Sequence, residues 1–456
     1  MEQGLRPFLE ALEAECSEEV VYIREEVDPR FQVTALALEL ERQGRFPVLI
    51  FERVKGHPMP LLTNLMSSRS RFSRAMGVGE GELLEEYGKR IGNYIPPRTL
   101  GSAPFRGRFF SGERLDLGLL PLLTHFPSDG APYITAGLLV ARDPDTGVET
   151  AGYHRLMLKG RDTLGVSLHS RRRLWNYARR AEERGEPLPV AVAIGVHPLI
   201  SLGSQALLPP GVGAFQAMGG LFGEPLEVAE TAELGLKVPA WAEIVIEGEI
   251  LAGSREDEGP FGEFTGYTSS RSTRHLLRAR AFSMREDALY QSICPGLSAE
   301  HCQLLSLPRE VEILRALRRS LPEVSAVHVP LSGCGSFSCY FSFKPSAPGQ
   351  ARQALLTVFS VDHYLRLAVA VDDDVDVFNE REVLWAINTR CDFTRDLLLL
   401  PETMGTLLDP TATQDALTSK VGIDATKPLG PFAERLTLDE SAQRWARELL
   451  GRLGRE

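Results

Sequence analysis

The densest concentration of groups able to do chemistry in this chain is the run Glu256-Asp257-Glu258-Gly259-Pro260-Phe261-Gly262-Glu263-Phe264-Thr265-Gly266-Tyr267. Its glycines and proline disfavour a helix and favour a tight turn, so Glu258 and Glu263 flank a bend able to bring both carboxylates to one pocket. Like charges in a partly dry site push one pKa upward and create a proton donor at neutral pH, while a nearby arginine keeps the other carboxylate ionised. An acidic surface turn fits the same residues, and composition alone favours that reading.

The run Arg171-Arg172-Arg173, followed by Leu174 and Trp175 at the start of a helix, suits a phosphate held by guanidinium forks and helix-end amides, or simply a solvated charged face. Gly203-Ser204-Gln205 and the later Pro209-Pro210-Gly211 form a loop flexible enough to approach a cofactor, but no dinucleotide or P-loop fingerprint accompanies it. Asp372, Asp373, Asp374 and Asp376 lack the glycine spacing and distal glutamate of a calcium loop and read as an acidic turn at a strand end. Cys334 and Cys339 are five apart with no matching pair, which argues against structural zinc. The nine histidines show no HExxH spacing. His154 and His169 stand near arginines, but a lone histidine is more often a structural or surface residue than a ligand.

Elements able to position these groups alternate between helix and strand. Leu5, Phe8, Leu9 and Leu12 fall at helical spacing, a strand follows over 19–26, a helix over 32–43 and a strand over 47–51. The proline- and glycine-rich stretch 96–129 predicts an irregular connection. A hairpin is expected from 133–142 and 152–159 around the turn Asp143–Gly147. In 242–250 isoleucines alternate with glutamates, which predicts a strand with one buried and one wet face. Pro308 is read as opening a connecting helix over 308–322. An α/β domain over 323–425 and a helical tail over 426–456 follow, leaving 1–307 as the catalytic region. A length of 456 residues suits two or three domains. The net charge of -11 repels a nucleic-acid backbone. The six cysteines read as reduced thiols, and with no apolar leader and no stretch of about 18 apolar residues the expected address is the cytoplasm, without a membrane span.

With these residues in view, EGPFGEFTGY closely resembles the signature of the UbiD family of prenylated-FMN-dependent decarboxylases. LRPFLEALEAE, THFPSDGAPYITAGLLVARDPDTG, VPAWAEIVIEGEI, DDDVDVFNEREVLWAINTRCD and SKVGIDAT resemble further family segments in the family order. The resemblance implies a mixed α+β and α/β fold: a split β-barrel flavin-binding domain joined by a helix to an α/β oligomerisation domain. It also implies a homodimer or higher homo-oligomer, and a flavin prenyltransferase as cofactor source. By resemblance the catalytic trio is Arg155, Glu258 and Glu263. Arg155 would steer the substrate carboxylate, Glu263 would give the proton that replaces CO₂, and Glu258 would tune both. The cofactor-binding positions implied are Thr150, Gly152, Tyr153, His154, Arg155, Arg172, Arg173, Ser204, Gln205, Ala206, Leu207 and Lys420. The implied reaction is a reversible, non-oxidative decarboxylation of an α,β-unsaturated or (hetero)aromatic carboxylic acid.

One departure stands out. The family holds the cofactor phosphate through manganese with a potassium ion, on asparagine, histidine and glutamate, and those positions are Thr150, Arg173 and Ala214 here. No metal is therefore expected, and Arg173, with Arg172, is expected to take the phosphate directly. The same loss allows a second reading, a cofactor-free scaffold or binding subunit of a larger complex.

Overall fold

The computed structural model describes residues 2–168 and 172–453, so His169 and Arg171 lie outside the described residues. The chain opens as its periodicity suggests, with helix Leu5–Glu15, strand Val20–Val27, helix Gln32–Arg42 and strand Val48–Val54. Those strands pair in parallel, Leu61–Thr63 adds antiparallel, and Tyr290–Gln291 completes the four-stranded sheet from far along the chain. The N-terminal unit is thus closed by a segment that leaves the central domain, which fixes the two against each other.

The central domain is a nine-stranded antiparallel sheet. Its order is Tyr133–Ile134, Leu156–Leu158, Thr163–Val166, His275–Met284, Ile244–Arg255, Leu188–Ile194, Leu138–Arg142 and Glu149–Tyr153, with Arg108–Ser111 also on His275–Met284. Tyr153 ends one edge strand, and Leu156 begins a strand one place from the opposite edge. Only His154 and Arg155 join them, a reach of roughly 10 Å when extended. The sheet must therefore curl into a half-barrel, and Arg155 sits in the seam. The hairpin expected over 133–142 and 152–159 is corrected accordingly: Leu138–Arg142 pairs with Glu149–Tyr153, and 156–158 belongs to the other end. Alternation along a sequence carries no mark of a strand changing neighbours.

Both faces of this sheet are covered. Leu138, Val140, Ala191, Ala193 and Val245 enter one core, and Leu139, Ala141, Val190, Val192, Ile244 and Ile246 enter the other. The wet face expected on the glutamates of 242–250 is absent at Glu243 and Glu247, which are buried. Glu247 accepts the backbone N–H groups of Ala232, Glu233 and Leu234, and Glu243 pairs with Arg6, so each charge is satisfied without water.

The connecting helix runs Ala299–Arg318 and contains Pro308 in its interior, so the expectation that proline opens it is corrected. Ser298 caps it instead, its hydroxyl accepting the His301 N–H, and the helix tolerates one missing backbone donor at Pro308. The C-terminal unit has five strands in the order Ala326–His328, Ser338–Ser342, Leu367–Val371, Leu417–Ala425, Leu397–Met404. Helices Gln350–Val361 and Glu380–Arg390 enter separate apolar clusters on this sheet. Asp372 and Asp374 are bonded to Arg390, and Lys427 pairs with Asp374, in keeping with an acidic turn at a strand end. All six cysteines are free. Among the described residues no helix is long and apolar enough to cross a membrane.

Candidate active site

The seam of the curled sheet delivers Arg155 to the acidic turn. Its Nε and Nη2 donate to the two Glu258 oxygens at 2.9 and 3.0 Å, a bidentate fork. Nη1 donates to Glu263, and Nη2 also donates to the Arg271 carbonyl at 2.8 Å. Four of the five guanidinium protons are thereby used, leaving one on Nη1, the nitrogen that faces Glu263, for a further acceptor. Glu258 is wholly buried behind the arginine, whereas Glu263 lines a cavity of about 380 Å³. Burial raises the Glu263 pKa against the pull of Arg155, and the Glu258 charge adds to the rise. Burial opposes the Arg155 charge, but Glu263 and Glu258 more than offset it and hold the guanidinium ionised. The arrangement pairs a fixed cation with a carboxyl biased toward its protonated form, in contact with a cavity.

The turn itself is a short hairpin, Phe261–Gly262 against Thr268–Ser269. Close approach dictates two of the glycines. A Cβ on Gly262 would lie 2.6 Å from the Phe126 ring, and one on Gly130 would lie 2.4 Å from the Gly259 carbonyl oxygen. Phe261 stacks obliquely on Tyr133 at 4.5 Å and lies 5.1 Å from the Arg155 guanidinium, which packs the arginine from its face.

Thr150, Gly152, Tyr153, His154, Arg155, Arg172, Arg173 and the loop Ser204, Gln205, Ala206 and Leu207 all line the same cavity. The sequence spreads these positions over more than fifty residues, and the edge strand Glu149–Tyr153, the start of helix Arg173–Glu183 and the end of helix Pro198–Gly203 bring them together. Local bonds stiffen them: Tyr153 to Ser201 at 2.7 Å, Ser204 to the Ser201 carbonyl at 2.7 Å, and Gln205 to Ser204 at 3.0 Å. His154 Nδ1 lies 3.2 Å from the Ser167 carbonyl, so that nitrogen carries the proton, and burial lowers the ring's pKa to about 4, leaving it neutral. With Ala151, Leu168, Leu174 and Leu208, these groups form a largely apolar cradle edged by backbone and hydroxyls, which fits a flat heteroaromatic ring system.

Lys420 does not line the cavity. Its ammonium donates to the carbonyls of His363 at 2.9 Å and Leu365 at 2.8 Å, and burial lowers its pKa against the pull of Asp362. It clamps the backbone on either side of Tyr364, which does line the cavity. Arg173 reaches the cavity, but its guanidinium donates to the carbonyls of Val212 at 2.6 Å, Leu208 at 2.9 Å and Pro209 at 2.5 Å, so it holds the loop beside the cradle. Thr150 and Ala214 line the cavity with it. A hydroxyl, a guanidinium and a methyl offer neither anionic nor imidazole donors, and these three residues do not fit a divalent cation.

Sequence reasoning missed one wall of the cavity. Phe264, His301, Arg309, Ser336 and Tyr364 line it, and all but Phe264 come from the connecting helix and the C-terminal unit. Phe264, next to Glu263, meets Tyr364 at 6.2 Å and His301 at 6.3 Å between ring centroids, so this wall abuts the acidic turn. No motif joins these positions, and nothing in their spacing marks them.

Three family models cover most of the chain: the 3-octaprenyl-4-hydroxybenzoate carboxy-lyase N-terminal domain over residues 9–91, the Rift-related domain over 98–298 and the C-terminal domain over 302–425. Anhydromevalonate phosphate decarboxylase of Methanothermobacter thermautotrophicus is 33% identical over 425 residues, 93% of this chain and 97% of that protein. The UbiD-class enzyme HmfF of Pelotomaculum thermopropionicum, solved with FMN, is 37% identical over 96% of this chain and 98% of that one, with a TM-score of 0.91. An evolved dimeric form of HmfF, solved with prFMN, is 36% identical over 97% and 98%, with a TM-score of 0.88. The apo 3,4-dihydroxybenzoic acid decarboxylase of Klebsiella pneumoniae is 27% identical over 98% and 99%, with a TM-score of 0.89.

Proposed function

The chain belongs to the UbiD family of carboxy-lyases, and on that premise we propose that it decarboxylates an unsaturated or aromatic carboxylic acid held against prenylated FMN. The single observation that carries this reading is the Arg155 fork between Glu258 and Glu263 at the cavity wall. When bound, the flavin supplies an electron sink for the electron pair of the breaking carbon–carbon bond. Thr150 to His154, Ser204 to Leu207 and the apolar side chains around them would hold it. The free Nη1 proton of Arg155 receives the substrate carboxylate and orients it. The Glu263 carboxyl, biased toward its protonated form by burial, delivers a proton to the carbon from which CO₂ has departed. Glu258, behind the arginine, keeps the guanidinium charged and fixed in plane. Phe261 and Phe264 keep water from the reacting carbon.

The relatives act, by their names, on acids as different as 3,4-dihydroxybenzoic acid and anhydromevalonate phosphate, so family membership leaves the substrate open. Exposed Leu384, Phe393, Leu399 and Met404 on the C-terminal unit support the expectation that it pairs with another copy. The loss of metal-binding side chains at Thr150, Arg173 and Ala214 favours the scaffold reading, and one preparation decides between the two. Protein co-expressed with a flavin prenyltransferase is extracted and its cofactor weighed by mass spectrometry. Prenylated FMN near one equivalent per chain supports the enzyme; colourless protein with no flavin contradicts it.

A further inference from the structure

The cavity wall beside the acidic turn carries charge that the decarboxylation step leaves unused. Arg309 pairs with Asp362, and its guanidinium carbon lies 4.8 Å from the Tyr364 ring centre. Arg172 stands near the same group: Arg309, Tyr364 and Asp362 are its electrostatic neighbours. Among the described residues the Arg172 guanidinium has no hydrogen-bond or ion-pair partner. Two guanidiniums and one carboxylate leave this wall one positive charge in excess. It is accessible to solvent at the cavity yet set in enough protein that burial, and then Arg309, lower the Arg172 pKa. The Ser336 hydroxyl on the same wall is buried and has no hydrogen-bond partner among the described residues.

The consecutive arginines therefore diverge. Arg173 turns to the carbonyls of 208–212 beside the flavin cradle, whereas Arg172 lines the cavity with Arg309, Ser336 and Tyr364. The excess charge thus lies with the residues that adjoin Glu263 through Phe264, where substrate binds on the reading above. A buried hydroxyl without a partner costs stability unless a ligand satisfies it, and the unpaired Arg172 guanidinium lining the same cavity can bring charge to that ligand.

We propose that Arg172, Arg309 and Ser336 form a subsite for a second anionic group, so that the substrate bears a carboxylate or phosphate remote from the carbon that loses CO₂. This rests on the decarboxylase reading and narrows its substrate class. Arg309 contributes a guanidinium already held in position by Asp362, Arg172 the net charge, and Ser336 a hydroxyl donor.

Titration calorimetry of the full-length, flavin-loaded protein at pH 7.5 tests it, with benzoate, 4-carbamoylbenzoate, terephthalate and 4-(phosphonooxy)benzoate as probes and CO₂ release measured in parallel. At least one of the two probes with a second anionic group, the dianion terephthalate or the more highly charged phosphate ester, is expected to bind about tenfold or more tightly than 4-carbamoylbenzoate, the neutral isostere of terephthalate's second carboxylate. The larger of the two ratios identifies carboxylate or phosphate as the second group. Arg172→Gln, which strips no partner of its ion pair, is expected to bring that ratio close to one, and Ser336→Ala to reduce it. Equal binding of the amide and both probes with a second anionic group overturns the subsite, as does a preference that survives Arg172→Gln. Preference for a second anionic group without CO₂ release from any probe contradicts the decarboxylase reading but upholds the subsite; CO₂ release with no such preference does the reverse.

Discussion

Replacing Arg155 with methionine keeps most of the side chain's bulk and removes the charge that two buried carboxylates share. Side-chain exposure is 10% at Arg155, 0% at Glu258 and 11% at Glu263, so Glu258 has no route to water once the guanidinium is gone. Removing one partner of a buried, bidentate pair and stranding the other typically costs roughly 3–5 kcal/mol. Urea unfolding of wild type and Arg155→Met at pH 7 measures the loss, and adding Glu258→Gln, which removes the stranded carboxylate and keeps its shape, should recover a large part of it. A loss of under about 1 kcal/mol in Arg155→Met, or no recovery in the double variant, would refute the idea that Arg155 and Glu258 satisfy each other in the core.

Because burial raises the Glu263 pKa, turnover should fall as pH rises through it, and Glu263→Gln should remove that limb and lower kcat by about a hundredfold or more, read from initial rates across pH 5–9. Arg173→Ala frees the carbonyls of Leu208, Pro209 and Val212, so amides of 203–212 should exchange hydrogen faster and flavin retention on gel filtration should drop. Gly262→Ala forces a methyl against the Phe126 ring and should cost about 1–3 kcal/mol in chemical unfolding, with activity lost alongside. Lys420→Met leaves the His363 and Leu365 carbonyls without their buried donor, worth about 1–3 kcal/mol each way of counting, and should raise KM through Tyr364 without altering the absorbance of bound flavin.

Much of this was legible in the residues. Helical and strand periods place the opening elements within a residue, apart from the strand expected over 47–51, which runs on to Val54, since each depends on near neighbours. The acidic turn was visible because glycine, proline and carboxylates are adjacent in the chain. The partner of that turn was not readable from spacing: Arg155 lies more than a hundred residues away, and its arrival depends on a sheet curling until its two ends are joined by two residues. Only resemblance to a family pointed to it. The three corrected expectations share one origin. Local rules favour Pro308 as a helix start, while Ser298 caps the helix earlier; alternation marks Glu247 as wet, while its partners, the N–H groups of 232–234, belong to another segment; and alternation over 133–159 cannot show that 156–158 pairs at the other end of the sheet. Lys420 matches a family motif in sequence, and in the structure its ammonium donates to the carbonyls on either side of Tyr364, a contact that no motif encodes.

The central claim is that Glu263, backed by Arg155 and Glu258, delivers the proton that replaces CO₂. Isotope incorporation in heavy water measures it directly, on prenylated-flavin-loaded wild type and Glu263→Gln with an accepted acid. Wild type should place one deuterium on the carbon that carried the carboxylate and should exchange that position in added product, whereas Glu263→Gln should do neither at a comparable rate. Deuterium uptake in the variant as fast as in wild type would contradict the account.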